Sequence, residues 1–110
     1  LVGSEMCIRD SMPTAICCQE DGIAIPLMCR LREFGLKIPG DISITGFDDG
    51  TYSQELGLTT IRQQPRLMGH DVAEKLLDLI NHKTISEPYR TYPAELIIRS
   101  TTATPRDVDE

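Results

Sequence analysis

Lys37-Ile38-Pro39-Gly40-Asp41-Ile42-Ser43-Ile44-Thr45-Gly46-Phe47-Asp48-Asp49 decides the fold. Pro39 and Gly40 break what precedes them, and Ile42 and Ile44 alternate with Ser43 and Thr45 at the period of a pleated strand. Gly46 removes a side chain just before two acids. In an open α/β sheet the ligand crevice lies outside the carboxyl ends of the strands, so an Asp in that place points at whatever the crevice holds.

Upstream, the apolar run PTAICC at residues 13–18 suits a buried parallel strand. Asp21 follows as a helix N-cap. Ile23, Ala24, Leu27, Met28, Leu31 and Phe34 recur at three- and four-residue spacing and form one apolar face, and Gly35 ends the helix as a left-handed residue. Pro26 predicts a bend or a late start. Strand, helix, strand is a βαβ unit with a right-handed crossover.

Downstream, residues 50–56 read as one or two helical turns capped by Asp48 or Asp49, and residues 58–62 as an extended segment. Pro65 opens a second helix whose buried face would be Met68, Val72, Ala73, Leu76 and Ile80, with Asp71 and Lys75 paired outside and Asn81, His82 and Lys83 at its end. Unless another segment covers it, that face would be exposed and prone to aggregate. Residues 94–99 read as a final strand, and the polar end from Ser100 as a frayed tail. Residues 1–11 carry neither period and resemble either translated adapter sequence or an ordinary disordered end, so no function is assigned to them.

The 110 residues suffice for about one domain, and 40% hydrophobic with 25% charged residues is a globular composition. A net charge of -6 and no Lys/Arg cluster argue against direct nucleic-acid binding. No apolar stretch approaches the ~20 residues of a membrane span, and no secretory signal is evident. Cys7, Cys17, Cys18 and Cys29 match no zinc spacing and read as reduced, buried thiols. Gly-rich phosphate loops, Gly-x-Ser-x-Gly and His-Glu-x-x-His do not occur, and His70 reads as a helix surface residue, so catalysis is not expected. No cofactor or metal is expected.

Taken in order, the 13–18 run, Asp21-x-x-Ala24, residues 31–49, Leu58-Thr59-Thr60-Ile61-Arg62-Gln63, Gly69 and Leu96-Ile97-Ile98-Arg99-Ser100-Thr101 resemble the C-terminal part of the effector-binding domain of LacI/GalR-type transcriptional regulators. The resemblance covers residues 12–102, with 1–11 outside it and 103–110 as a flexible tail. It implies an α/β fragment of a two-lobed periplasmic-binding-protein-like fold, with a parallel sheet and flanking helices. The body of the N-terminal lobe and the DNA-binding headpiece would lie outside this chain.

By the same resemblance, Asp48 accepts hydrogen bonds from an effector, a sugar by expectation. The alternative for Asp48 is a cap or Asx-turn residue, while Asp49 reads as a cap. Glu20 stands where relatives often place a ligand-touching Asn; it accepts hydrogen bonds but cannot donate them. Cys17 falls where some relatives contact the ligand ring, with core packing as its alternative. Gln64 and Tyr52 are rim candidates. The first helix and the 50–55 loop match a dimer surface, which would use Ile23, Leu27, Leu31 and Tyr52, or the three apolar residues are simply core. The implied function is effector sensing and homodimerisation in a cytoplasmic regulator that reaches DNA only through its headpiece and has no membrane partner. A periplasmic sugar-binding protein of a transporter or chemoreceptor is the alternative.

Overall fold

A computed structural model describes residues 12–107, so residues 1–11, with Cys7 among them, and 108–110 fall outside the description. The order is β1 (Ala15–Cys17), α1 (Asp21–Glu33), β2 (Ser43–Thr45), β3 (Thr60–Arg62), α2 (Pro65–Ile80) and β4 (Glu95–Ile97). β1 and β2 are parallel, with Ala15 opposite Ser43, Ile16 opposite Ile44 and Cys17 opposite Thr45, so the expected βαβ unit is present. α1 covers this pair. Ala24 and Met28 from the helix meet Ile42, Ile44 and Leu58 in a fully buried cluster, with Ile16, Cys18, Ile25, Leu27, Leu31 and Ile38 packed around it.

The ends of α1 follow backbone chemistry. Its N-cap is Glu20, whose side chain makes no capping bond, rather than Asp21, the first helical residue. Asp21 cannot cap because its carboxylate is buried and engaged elsewhere. Pro26 lies inside the helix, which neither starts late nor is interrupted there. At the other end Gly35 has φ +85, and the amides of Gly35 and Leu36 bond to the carbonyls of Arg32 and Leu31 at 2.9 and 3.0 Å. That pair of bonds is a Schellman close, which needs the left-handed residue that Gly supplies most cheaply.

β3 and β4 form an antiparallel pair, Thr60 opposite Ile97 and Arg62 opposite Glu95. It is stitched to β2: Thr45 bridges Thr59 in parallel, and the Gly46 amide donates to Thr59 O at 2.9 Å. Thr101 completes the seam, its hydroxyl donating to Ile44 O at 2.7 Å and accepting from the Thr59 amide at 2.9 Å. Ser43 and Ala103 exchange bonds at 3.3 and 3.1 Å, and Arg106 Nη2 donates to Met12 O at 3.0 Å. The end beyond Ser100 is therefore anchored through Arg106 rather than frayed, because its hydroxyls and amides substitute for a neighbouring strand.

α2 starts at Pro65, as the sequence suggests, and ends at a C-cap on Asn81. None of its residues is buried. Val72, Leu76 and Ile80 of the expected core face are exposed, because no described segment packs over them. Asp71 bonds to Arg90 and Tyr92 rather than to Lys75.

The tightest steric demand is at Gly46, where an added Cβ would lie 2.1 Å from Asp21 Oδ1 and 3.0 Å from Leu58 Cδ2. Asp21→Ala strands several buried donors and is expected to lower stability by about 3 kcal/mol. Gly46→Ala should then cost less in the Asp21→Ala background than in the wild type, a coupling read from urea denaturation of the four proteins. Equal costs in both backgrounds would show that the Gly46 requirement has another origin.

Candidate functional site

Parallel pairing of β1 and β2 brings the loops that follow them to the same carboxyl end of the sheet. The backbone ties them together: the Cys18 amide donates to Thr45 O at 2.8 Å and the Asp21 amide to Phe47 O at 3.0 Å. Asp21, 4% exposed, is the anchor. Its Oδ2 accepts from the Gly50 amide at 2.7 Å and from the Ser53 hydroxyl, and its Oδ1 from the Thr60 hydroxyl at 2.7 Å. The expected helical turns at 50–56 are present as hydrogen-bonded turns, and the acid at their start is Asp21, not Asp48 or Asp49.

Asp48 and Asp49 both have positive φ, 102 and 54. Such backbone persists where its surroundings over-determine it, and Asp tolerates it better than most residues. Three consecutive amides are held. Asp48 N–H donates to Ile61 O at 2.8 Å, Asp49 N–H to Thr60 Oγ1 at 3.3 Å, and Gly50 N–H to Asp21.

The two carboxylates then have different fates. Asp49 lies between guanidinium groups, its Oδ2 2.7 Å from Arg62 Nε and its Oδ1 2.7 Å from Arg99 Nη2. It is an ion-pair residue, not the cap expected from sequence. Burial works to raise its pKa, but hydrogen bonds from Arg62 and Arg99, with their charges, outweigh burial and hold the carboxyl below the usual range. Asp48 is exposed. Its Oδ1 accepts from Gln63 Nε2 at 2.7 Å, while its other oxygen accepts nothing from the described residues. Asp48, Gln63, Pro65 and Met68 line an open concavity of about 340 Å³. Its polar side offers an acceptor and an amide, and its apolar side a ring and a thioether.

The other residues singled out from sequence distribute around this point. Glu20 and Cys17 sit on the loop and strand that end beside Asp48, both exposed, but neither lines the concavity. Gln64 turns away and donates to Pro93 O at 3.0 Å; its neighbour Gln63, unassigned from sequence, takes the place beside Asp48. Tyr52 is exposed and outside the concavity. Of the expected dimer residues, Ile23 is 48% exposed, whereas Leu27 and Leu31 pack against the core. The thiols differ from the expectation: Cys17 and Cys29 are exposed, and only Cys18 is half-buried. Burial, then the neighbouring Cys17, pushes the Cys18 thiol pKa up.

Among the described residues, His70, Asp71 and Glu74 are close enough to hold a metal; Arg90 and Tyr92 both bond to Asp71 Oδ2, and Asp71 Oδ1 lies 3.6 Å from His70 Nδ1. The Tyr92 hydrogen bond, against burial and with the Arg90 charge, holds the Asp71 carboxyl low. No helix of the described residues is long and apolar enough to cross a membrane.

Two parallel strands with a helical crossover, an acidic pair at the carboxyl end and an adjoining antiparallel pair are features of one lobe of a two-lobed binding protein. The profile of the periplasmic binding protein-like domain matches residues 3–102, and the chain belongs to that family. The arabinose metabolism transcriptional repressor of Geobacillus stearothermophilus is 40% identical over 97 residues, which are 86% of this chain and 27% of that protein. Among solved structures, the lac repressor dimer bound to operator and the anti-inducer ONPF is similar with a TM-score of 0.76 at 30% identity, over 94% of this chain and 37% of that one. A complex of the transcriptional regulator CelR with cellobiose also has a TM-score of 0.76, at 29% identity, over 89% of this chain and 31% of that one. The chain thus spans roughly a quarter to two fifths of these relatives.

The depressed Asp49 pKa has a fixed sign. Its stabilisation is fully present above the unfolded Asp value of about 3.9 and is lost as pH falls through the lower folded value. Wild type should therefore exceed Asp49→Asn in stability at pH 6, with the gap closing below about pH 4. Denaturation curves across pH 2–7 check this, and a gap that stays constant with pH would remove the ion pairs as its cause.

Proposed function

We propose that this chain is the effector-sensing and dimerisation part of a bacterial-type transcriptional regulator, and that its effector is a sugar. The observation that carries the reading is Asp48: an exposed carboxylate on a pinned turn that lines a concavity, one oxygen fixed by Gln63 and the other accepting nothing from the described residues. A carboxylate of this kind suits a polyol, whose hydroxyls are donors, while the apolar side formed by Pro65 and Met68 suits the C–H face of a sugar ring. Glu20 and Cys17 lie at the same end of the sheet and are assigned to the rim of the site.

Named relatives support a regulator over a transport protein, since one is a repressor of arabinose metabolism, one a lac repressor on operator and one a regulator with cellobiose. DNA would be reached through a headpiece, because the net charge of -6 gives this chain no surface for it. The regulator would act in the cytoplasm and without catalysis. Ile23 and Tyr52, exposed on α1 and the following turns, together with the outer edges of Leu27 and Leu31, are the proposed surface for a two-fold dimer. Effector control requires unequal affinity for two lobe arrangements, and that difference bounds the switch.

The test is calorimetric titration of the longer parent protein with L-arabinose and with cellobiose, beside its Asp48→Ala form. Loss of one charged hydrogen bond predicts about 10-fold to 100-fold weaker binding with the melting temperature nearly unchanged. Equal affinities would take Asp48 out of the site.

A further inference from the structure

We propose that Asp49 is a positioning residue for the Asp48 concavity, its carboxylate holding the wall that carries Asp48 at a set distance from the wall that carries Gln63, Pro65 and Met68. The proposal rests on the reading of Asp48 as the effector acceptor. Two successive cross-links join the same two segments: Asp48 to Gln63 at 2.7 Å, and Asp49 to Arg62 at 2.7 Å. Arg62 is the last residue of β3 and precedes Gln63, so the ion pair acts immediately beside the concavity.

Asp49 also reaches the partner strand. Arg99, just beyond β4, gives Nη2 to Asp49 Oδ1 at 2.7 Å and Nη1 to Leu58 O at 2.9 Å. Arg62 approaches Glu95 of β4 at 3.9 Å. One carboxylate thus fastens a turn with two consecutive positive-φ residues to β3 and to the segment just after β4. The Asp49 and Arg99 side chains are only 12% and 13% exposed, so solvent screens their pair much less than a surface pair. An Asn in place of Asp49 keeps the shape but turns an amide donor toward guanidinium donors, and one arginine loses its acceptor. The turn then loses an anchor on the side facing the concavity, while Asp21 still holds Gly50.

Amide hydrogen exchange on the longer parent protein, with titration of L-arabinose and cellobiose, tests this in wild type, Asp49→Asn and the gentler Arg62→Gln. Asp49→Asn should speed exchange at the Asp48 and Asp49 amides about tenfold or more, leave α1 and β1 unchanged, and weaken whichever sugar wild type binds about tenfold. Arg62→Gln should do the same to a smaller extent. Unchanged exchange at residues 48 and 49 in both variants would overturn the proposal. So would a rise spread through α1 and β1, which marks a merely structural residue. If wild type binds neither sugar, the assignment of a sugar effector falls, and the exchange pattern alone decides the role of Asp49.

Discussion

The structure depends on a buried carboxylate, that of Asp21. Removing an anion from solvent is costly unless its oxygens are filled by donors, and the Asp21 oxygens are filled by the Gly50 amide and the Ser53 and Thr60 hydroxyls. Its place in the first turn of α1 adds the favourable end of the helix dipole. These donors come from the turn after the acidic pair and from β3, so one side chain ties a helix start, a loop and a strand together. The constraint propagates: Gly46 has no side chain because Asp21 Oδ1 occupies the space one would need.

The two acids of the following turn are treated differently from Asp21 and from each other. Asp49 is neutralised between Arg62 and Arg99, whereas Asp48 keeps one oxygen open beside Gln63 and an apolar wall. Adjacent residues with the same chemistry thus end in different surroundings, one between two arginines and one beside a concavity. The difference comes from the turn, whose paired positive φ values send the two carboxylates to different neighbours.

What the sequence made legible was local. Alternation at Ile42 and Ile44, the three- and four-residue spacing before Gly35, and Pro65 at a helix start each report on a few neighbouring residues, and each corresponds to an element seen here. Family resemblance extended this to the two-lobed binding fold. The role of Asp21 was not legible, because its partners lie 29, 32 and 39 residues away and a first-turn Asp looks the same whether it caps a helix or anchors a loop. The apolar period of α2 told which face is apolar, not whether anything covers it. Gln63 and Gln64 differ only in which way each turns after β3, one to Asp48 and the other to Pro93. Thr101 was misread with the polar end because a threonine that completes a strand seam by its hydroxyl carries no hydrophobic signal.

The most direct measurement is a crystal structure of the longer parent protein grown with L-arabinose or cellobiose. The account predicts a sugar hydroxyl about 2.7 Å from the Asp48 oxygen that Gln63 leaves free, with Asp49 still bracketed by Arg62 and Arg99. A sugar bound elsewhere, with Asp48 turned to solvent and touching none of it, would contradict it.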